Sequence, residues 1–363
     1  MRPLLFLCAL ALALAQAQTP RAYTDAEVMN IHRSLLVIDT HNDVTSRTVD
    51  GFDIGQRAPD GHTDLPRLRE GDVGAVFFAV YVAGSYVNGN HSANRALQMI
   101  DTVRHDIVGR YPNDFELCTT ADCIEAAHRT GKIAALMGLE GGHAIEDSLR
   151  LLRDYYALGV RYMTLTHNNT NNWADASMDM DKPEVRHHNG LTGFGRDVVR
   201  EMNRLGMMVD ISHVADKTFW DALETSQAPI FASHSSCRAL ADSPRNMTDE
   251  MIAALAKKGG VIQVNFSCGF LTKRASPPAS LEDVVEHIDH AVKAGGIDAV
   301  GIGSDFDGIT CAPKGLEDVS KFPGLTRALL EKGYKPADLR KIYGGNILRV
   351  MRAVEKEAAA ERE

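Results

Sequence analysis

Eight short apolar runs recur along the chain, and most close on a histidine or a carboxylate. They are Val37–Asp43, Ala75–Val82, Ile133–Glu140, Arg161–His167, Met207–His213, Pro229–His234, Gly260–Phe266 and Ala299–Asp305. Continuous apolar runs of this length are expected of strands covered on both faces of a parallel sheet. Amphipathic helical patterns lie between them. Ser148–Leu158 places Leu149, Leu152, Tyr156 and Ala157 on one stripe, and Gly195–Leu205 does the same with Val198, Val199, Met202 and Leu205. Leu281–Ala294 opens on an acidic turn and stops before Gly295-Gly296. Eight rounds of strand and helix predict an α/β fold, a (β/α)8 TIM barrel with a metal site at the C-terminal ends of its strands. An open doubly wound sheet would gather functional residues at one switch point. Here they follow six separate strands, which favours the barrel.

The run ends carry the chemistry. Strand alternation puts His41 and Asp43 on one face, where both can reach a cation. Glu140, among the glycines of Gly138-Leu139-Glu140-Gly141-Gly142, is a carboxylate at a buried strand end, costly unless paired or metal-bound. His213 and His234 end consecutive strands and so lie side by side. Five such ligands exceed one tetrahedral catalytic zinc and suit two metals sharing a carboxylate. His167 and Asp305 end two further runs. Three longer irregular stretches, Asn168–Thr192, Ser267–Ser280 and Phe306–Pro323, follow site-bearing strands and are placed to form a cavity mouth.

Other titratable residues are assigned elsewhere. His187-His188 lies in a polar loop and is expected to be exposed. His287 and His290 are expected on the surface of an outer helix. His143 is either a partner of Glu140 or a packing residue, and Asp307 either supports Asp305 or begins a loop.

The chain has 363 residues and a formal charge of -9, which argues against nucleic acid, a partner that demands a basic footprint. Residues 1–17 read as a signal peptide: Arg2, an apolar stretch from Leu4 to Ala15, and a small-x-small cleavage site at Ala15-Gln16-Ala17. Residues 18–363 are expected to form one barrel domain, exported to the periplasm or secreted, with no transmembrane span. The charged stretch Glu355–Glu363 is not expected to carry a lipid anchor. Export permits disulfides. Cys118 and Cys123 are close enough to bridge, whereas pairing among Cys237, Cys268 and Cys311 cannot be read from spacing.

The motifs VIDTHND, TDLPRLREGDVGAVFFAVYV, ALMGLEGGHAIEDSLRLLRDYYALGVRYMTLTHNN, GLTGFGRDVVREMNRLGMMVDISHV, SHSSCRALADSPRNM and VGIGSDFDG run from Val37 to Gly308. In this order the chain resembles the membrane dipeptidase (renal dipeptidase) family of zinc peptidases, amidohydrolase-like barrels. The resemblance implies two zinc ions per subunit, with His41 and Asp43 on one, Glu140 bridging, and His213 and His234 on the other. It implies that His167 contacts substrate and steadies the tetrahedral intermediate, that Arg245 contacts substrate, and that Asp305 is the catalytic acid/base. The implied activity is hydrolysis of L-Xaa-Xaa dipeptides, L,D-dipeptides included, by a metal-bridging hydroxide. Homodimers are the common assembly in the family. The alternative is a metal-dependent amidohydrolase acting on a cyclic amide, lactone or β-lactam; a decayed, non-catalytic barrel is disfavoured because every expected ligand is present. Vertebrate relatives have a cysteine shortly after the histidine matching His167; this chain reads His167-Asn168-Asn169, so their disulfide there does not transfer.

Overall fold

The computed structural model describes residues 22–276 and 278–360; the signal peptide expected at 1–17 lies outside the described residues. Nine strands form one parallel sheet: β1 (Val37–Asn42), β2 (Val73–Tyr81), β3 (Phe115–Leu117), β4 (Ile133–Glu140), β5 (Val160–Thr164), β6 (Met208–Asp210), β7 (Phe231–Ser235), β8 (Val261–Val264) and β9 (Val300–Ile302). Eight of them run in the order β1-β2-β4-β5-β6-β7-β8-β9 with helices between, and a parallel bridge from Asn42 to Phe306 returns the last to the first. This is the expected (β/α)8 barrel.

All eight expected strands are present, most of them shorter than the apolar runs. The ninth, β3, was not expected. It pairs with Ile133–Ala135 at the start of β4, while β5 joins β4 only from Met137 onward. Three residues are too few to carry a readable period, so this strand is a product of a vacant sheet edge. The helices start where short polar side chains can cap them: the hydroxyls of Thr192 and Thr248 accept from the amides of Gly195 and Met251.

Alternation along the strands sorts side chains into two hydrophobic clusters. Ile38, Ala75, Phe77 and Leu136 belong to one, and their neighbours Val37, Val76, Phe78 and Met137 to the other. The first lies inside the barrel. Tyr162 of β5 meets Phe77 of β2 at 5.5 Å and Phe231 of β7 at 5.3 Å between ring centroids, although none of these strands are neighbours. The interior is thus filled by side chains, which leaves the strand ends to build a site.

The β1–β9 seam is closed by a side chain as well as by backbone. The fully buried Asp39 carboxylate accepts from the Ser304 amide at 2.8 Å and the Ser304 hydroxyl at 2.6 Å. Burial raises its pKa, against which these two bonds pull. Asp39→Ala would orphan both donors, and we expect a loss of about 3 kcal/mol. Urea unfolding of the variant checks this; an unshifted midpoint would show that the backbone bridge alone closes the barrel.

Two assignments of histidines need correction. His287 is not on the surface: it is 1% exposed, accepts from the Cys237 amide through Nδ1 at 3.0 Å and donates through Nε2 to the Leu271 carbonyl at 2.9 Å. It falls within the buried stripe Val284, Ile288 and Ala291 of the helix Leu281–Gly295: an outer helix lies away from the rim but still buries one face. His290, at the stripe's edge, is half-exposed and pairs with Asp249 at 2.7 Å. His187 and His188 are half-buried rather than exposed, with His188 Nε2 on the Asn171 carbonyl at 2.8 Å. Cys118 and Cys123 are bridged, Cys268 pairs with Cys311, and Cys237 is free and buried.

Candidate active site

Each expected site residue arrives at the same rim, though not always on a strand. His41, Glu140 and His234 lie within β1, β4 and β7. Asp43 has left β1 and stands immediately before the helix Val44–Thr48, so strand alternation alone does not place it. His167, His213 and Asp305 each lie three residues past β5, β6 and β9. His213 and Asp305 take left-handed backbone, at φ 67° and 63°, and so does Asp307 at 65°. Such conformations cost about 1–3 kcal/mol each for a residue with a side chain and persist where the surroundings impose them.

Glu140 is the centre of the arrangement. Its Oε2 lies 3.6 Å from His41 Nε2, which is itself 3.1 Å from Asp43 Oδ2. Its Oε1 lies 3.0 Å from His213 Nε2 and 3.3 Å from His234 Nε2. One carboxylate therefore faces two separate groups of donors, one per oxygen. The two Nε2 atoms of His213 and His234 are only 3.0 Å apart. Two neutral imidazoles with both Nε2 unprotonated would repel at that distance unless a shared cation or proton lies between them.

The far side of every ring explains why Nε2 is the atom presented. The Tyr162 hydroxyl donates to the Thr40 carbonyl at 3.1 Å and accepts from His41 Nδ1 at 2.8 Å. The Ser233 hydroxyl donates to Asp210 at 2.6 Å and accepts from His234 Nδ1 at 2.7 Å. His213 Nδ1 donates to the Asn168 amide oxygen at 2.9 Å. Each Nδ1 then carries the hydrogen and each Nε2 a lone pair, the tautomer a metal requires. His41 Nε2 is buried and makes no aligned hydrogen bond.

The electrostatics show a need for positive charge at this cluster. Burial would lower the His41 pKa, but Tyr162, Glu140 and Asp43 outweigh it and hold the ring well above its ordinary value. Burial and then the Asp43 charge push the Asp305 carboxyl up to about 8, against His41 and a 2.8 Å hydrogen bond from Asn265. Burial keeps His213 and His234 well below the usual imidazole range, with Arg245 and His41 adding to it. Three carboxylates gathered this closely thus draw protons onto His41 and Asp305 when nothing else balances them. A cation would take that place.

Three overlapping sets of ligand atoms lie within 4.8 Å of one another: His41, Glu140 and His234; Glu140, His167 and His213; and His41, Asp43 and Asp305. Their nitrogen and oxygen donors suit borderline divalent metals. Gly308 closes one side, where a Cβ would fall 2.4 Å from Asp43 Oδ2 and 2.6 Å from Asp305 Oδ1, so only glycine leaves those carboxylates room. The residues fit a metal pair.

A cavity of about 460 Å³ opens onto this cluster, lined by Asp43, Glu140, His167, His213 and Asp305. All three long irregular stretches contribute to its wall, through Asn168, Ser267 and Phe270, and Ile309 and Thr310. His41, His234 and Arg245 sit behind this lining. Arg245 is 4% exposed, with Nη2 3.2 Å from the His234 carbonyl, Nη1 3.3 Å from Ser235 Oγ, and its guanidinium 5.2 Å from the Phe270 ring centre. His143 is buried, makes no aligned side-chain hydrogen bond, and is held at about 4 by burial. Asp307 accepts from the His62 amide at 2.9 Å, which ties the turn after Asp305 to the segment after β1.

Sequence reasoning missed Tyr81, Asn168, Asn265, Phe270 and the ring anchors Tyr162 and Asp210. Tyr81 pairs in register with Glu140 and meets the His167 ring edge-on at 4.9 Å. Asp210 could have been found, since it is a lone acid inside an apolar run. Amides and aromatics gave no such sign.

The pattern of the membrane dipeptidase family (peptidase family M19) matches residues 25–363. An uncharacterized dipeptidase of Schizosaccharomyces pombe is 39% identical over 340 residues, covering 88% of this chain and 80% of the relative. Among solved structures, the probable dipeptidase PvdM of Pseudomonas aeruginosa superposes with a TM-score of 0.85 at 25% identity, over 92% of this chain and 99% of that one. A metallo peptidase of Rhodobacter sphaeroides, liganded with a phosphinate mimic of L-Ala-D-Ala, gives 0.79 at 30% identity, over 88% and 99%. With a barrel, a paired donor cluster and a match along nearly its whole length, the chain belongs to the membrane dipeptidase family, peptidase family M19, and is a metallo-dipeptidase.

Proposed function

We propose that the protein is an exported, zinc-dependent dipeptidase that hydrolyses L-Xaa-Xaa dipeptides, L,D-dipeptides among them. The observation that carries this reading is the Glu140 carboxylate, with His41 and Asp43 at one oxygen and His213 and His234 at the other. These five residues would hold two zinc ions. Bound zinc supplies Lewis acidity, which lowers the pKa of water and polarises a carbonyl oxygen. Asp305, oriented by Asn265, takes the proton of the attacking water and returns it to the leaving amine. His167, kept largely neutral by burial, offers a ring N–H to the developing oxyanion. Arg245 supplies positive charge towards the substrate carboxylate from behind Phe270.

Export is supported by the apolar N-terminal segment and by two disulfides, which persist in oxidising compartments. None of the described helices is long and apolar enough to cross a membrane. Tolerance of a D-residue is supported by the mimic bound to the Rhodobacter sphaeroides relative.

A panel of L,L- and L,D-dipeptides and tripeptides tests the proposal, assayed before chelation, after it, and after zinc is restored. We expect zinc-dependent release of free amino acids from both dipeptide classes, with tripeptides intact. Zinc-loaded protein that spares every dipeptide but opens a cyclic amide, lactone or β-lactam would replace this reading with the alternative.

A further inference from the structure

The three rings are anchored alike but in different surroundings. Tyr162 and the Ser233–Asp210 pair, which hold His41 and His234, are 0% exposed. Asn168, which holds His213, is exposed and lines the cavity. Among the described residues, no acceptor takes its amide N–H groups. Their orientation follows from the proposed metal site: with the His213 Nε2 lone pair given to a metal, Nδ1 carries the hydrogen and Asn168 presents Oδ1 to it at 2.9 Å. The amide nitrogen is then left facing away from His213, on a residue that forms part of the cavity wall. It is also one position from His167 in the segment leaving β5.

We infer that Asn168 is a substrate-contacting residue with two tasks: its amide oxygen fixes the His213 ring, and its amide nitrogen donates to an oxygen of the bound substrate, a peptide carbonyl or terminal carboxylate. This rests on the dipeptidase reading and deepens it. A donor of this kind is selective for substrates with an acceptor oxygen at that point. It also makes a residue touched by substrate the orienting partner of a proposed metal ligand, an arrangement that His41 and His234 lack.

Three proteins separate the tasks: wild type, Asn168→Asp and Asn168→Ala, compared in the zinc-loaded state. The aspartate keeps an acceptor for His213 and loses the donor; alanine loses both. Zinc affinity is read by chelator competition, and kcat and KM on L-Ala-L-Ala at low salt and at about 1 M salt, where repulsion by the new charge is screened. For Asn168→Asp we expect zinc affinity at least equal to wild type and KM raised about tenfold or more at both salt concentrations. For Asn168→Ala we expect a similar rise in KM and zinc affinity lowered about 10- to 100-fold at one site. Melting curves of the metal-free proteins should superpose, because the residue is exposed. A KM for the aspartate variant within twofold of wild type at high salt overturns the donor role. Unchanged zinc affinity in the alanine variant overturns the anchoring role. Wild-type protein that binds zinc and cleaves no dipeptide would instead fail the underlying reading, and the donor role with it.

Discussion

Asp305→Asn is expected to retain both metal ions and to lose about 10²- to 10⁴-fold in kcat, the usual contribution of a positioned acid–base group. The substitution is clean for three reasons. Asparagine has the same shape, tolerates the left-handed φ of 63° at this position, and can still accept from Asn265 through its amide oxygen. What it cannot do is exchange a proton. Steady-state kinetics with metal content measured on the same sample checks the prediction. Asp305 also lies within ligand range of His41 and Asp43, so metal loss in the variant would make it a ligand instead. A kcat near the wild-type value with both metals present would remove it from the chemistry altogether.

Glu140→Gln should have the largest effect on metal binding. The side chain is 3% exposed and ringed by His41, His213 and His234. Burial opposes its charge, but the positive charge of neighbouring His41 and His167, with the His213 and His234 rings beside it, holds it well below the ordinary carboxylate range. Removing one partner of such a buried charge cluster costs about 3–5 kcal/mol, or roughly a hundred- to several-thousand-fold in affinity. We expect dialysed Glu140→Gln to carry fewer than two metals per chain and to show little turnover unless metal is added in excess. Two tightly held metals and normal activity in this variant would mean that the carboxylate does not join the two donor groups.

Much of this was legible from the chain. A buried parallel sheet needs apolar residues on both faces, so its strands show up as runs, and the eight runs became the eight barrel strands. Ionisable residues at the ends of such runs are conspicuous because burial would penalise them, and His41, Glu140, His213, His234 and Asp305 do converge. The failures have equally physical causes. His287 reads as a surface residue because the outer helices of a barrel lie away from its rim, yet it sits on the inward face of its helix, where two backbone partners satisfy both ring nitrogens. The strand β3 went unseen because its three residues are ordered by a vacant edge of β4, not by their own pattern. Asp43 reaches its place from the start of a helix, where strand periodicity has no authority.

By itself, then, the sequence determined the barrel, the rim that carries the site and the identity of the residues converging there, because strand patterning and the cost of buried charge are local properties. Tertiary structure alone decided how those residues are aimed. Tyr162, Asn168 and Ser233 come from strands and loops distant from at least one of the groups they join, and only the closed barrel brings His41, Glu140, His213 and His234 within bonding distance. Tautomer, donor direction and raised or lowered pKa all depend on such long-range neighbours, and no reading of one segment at a time contains them.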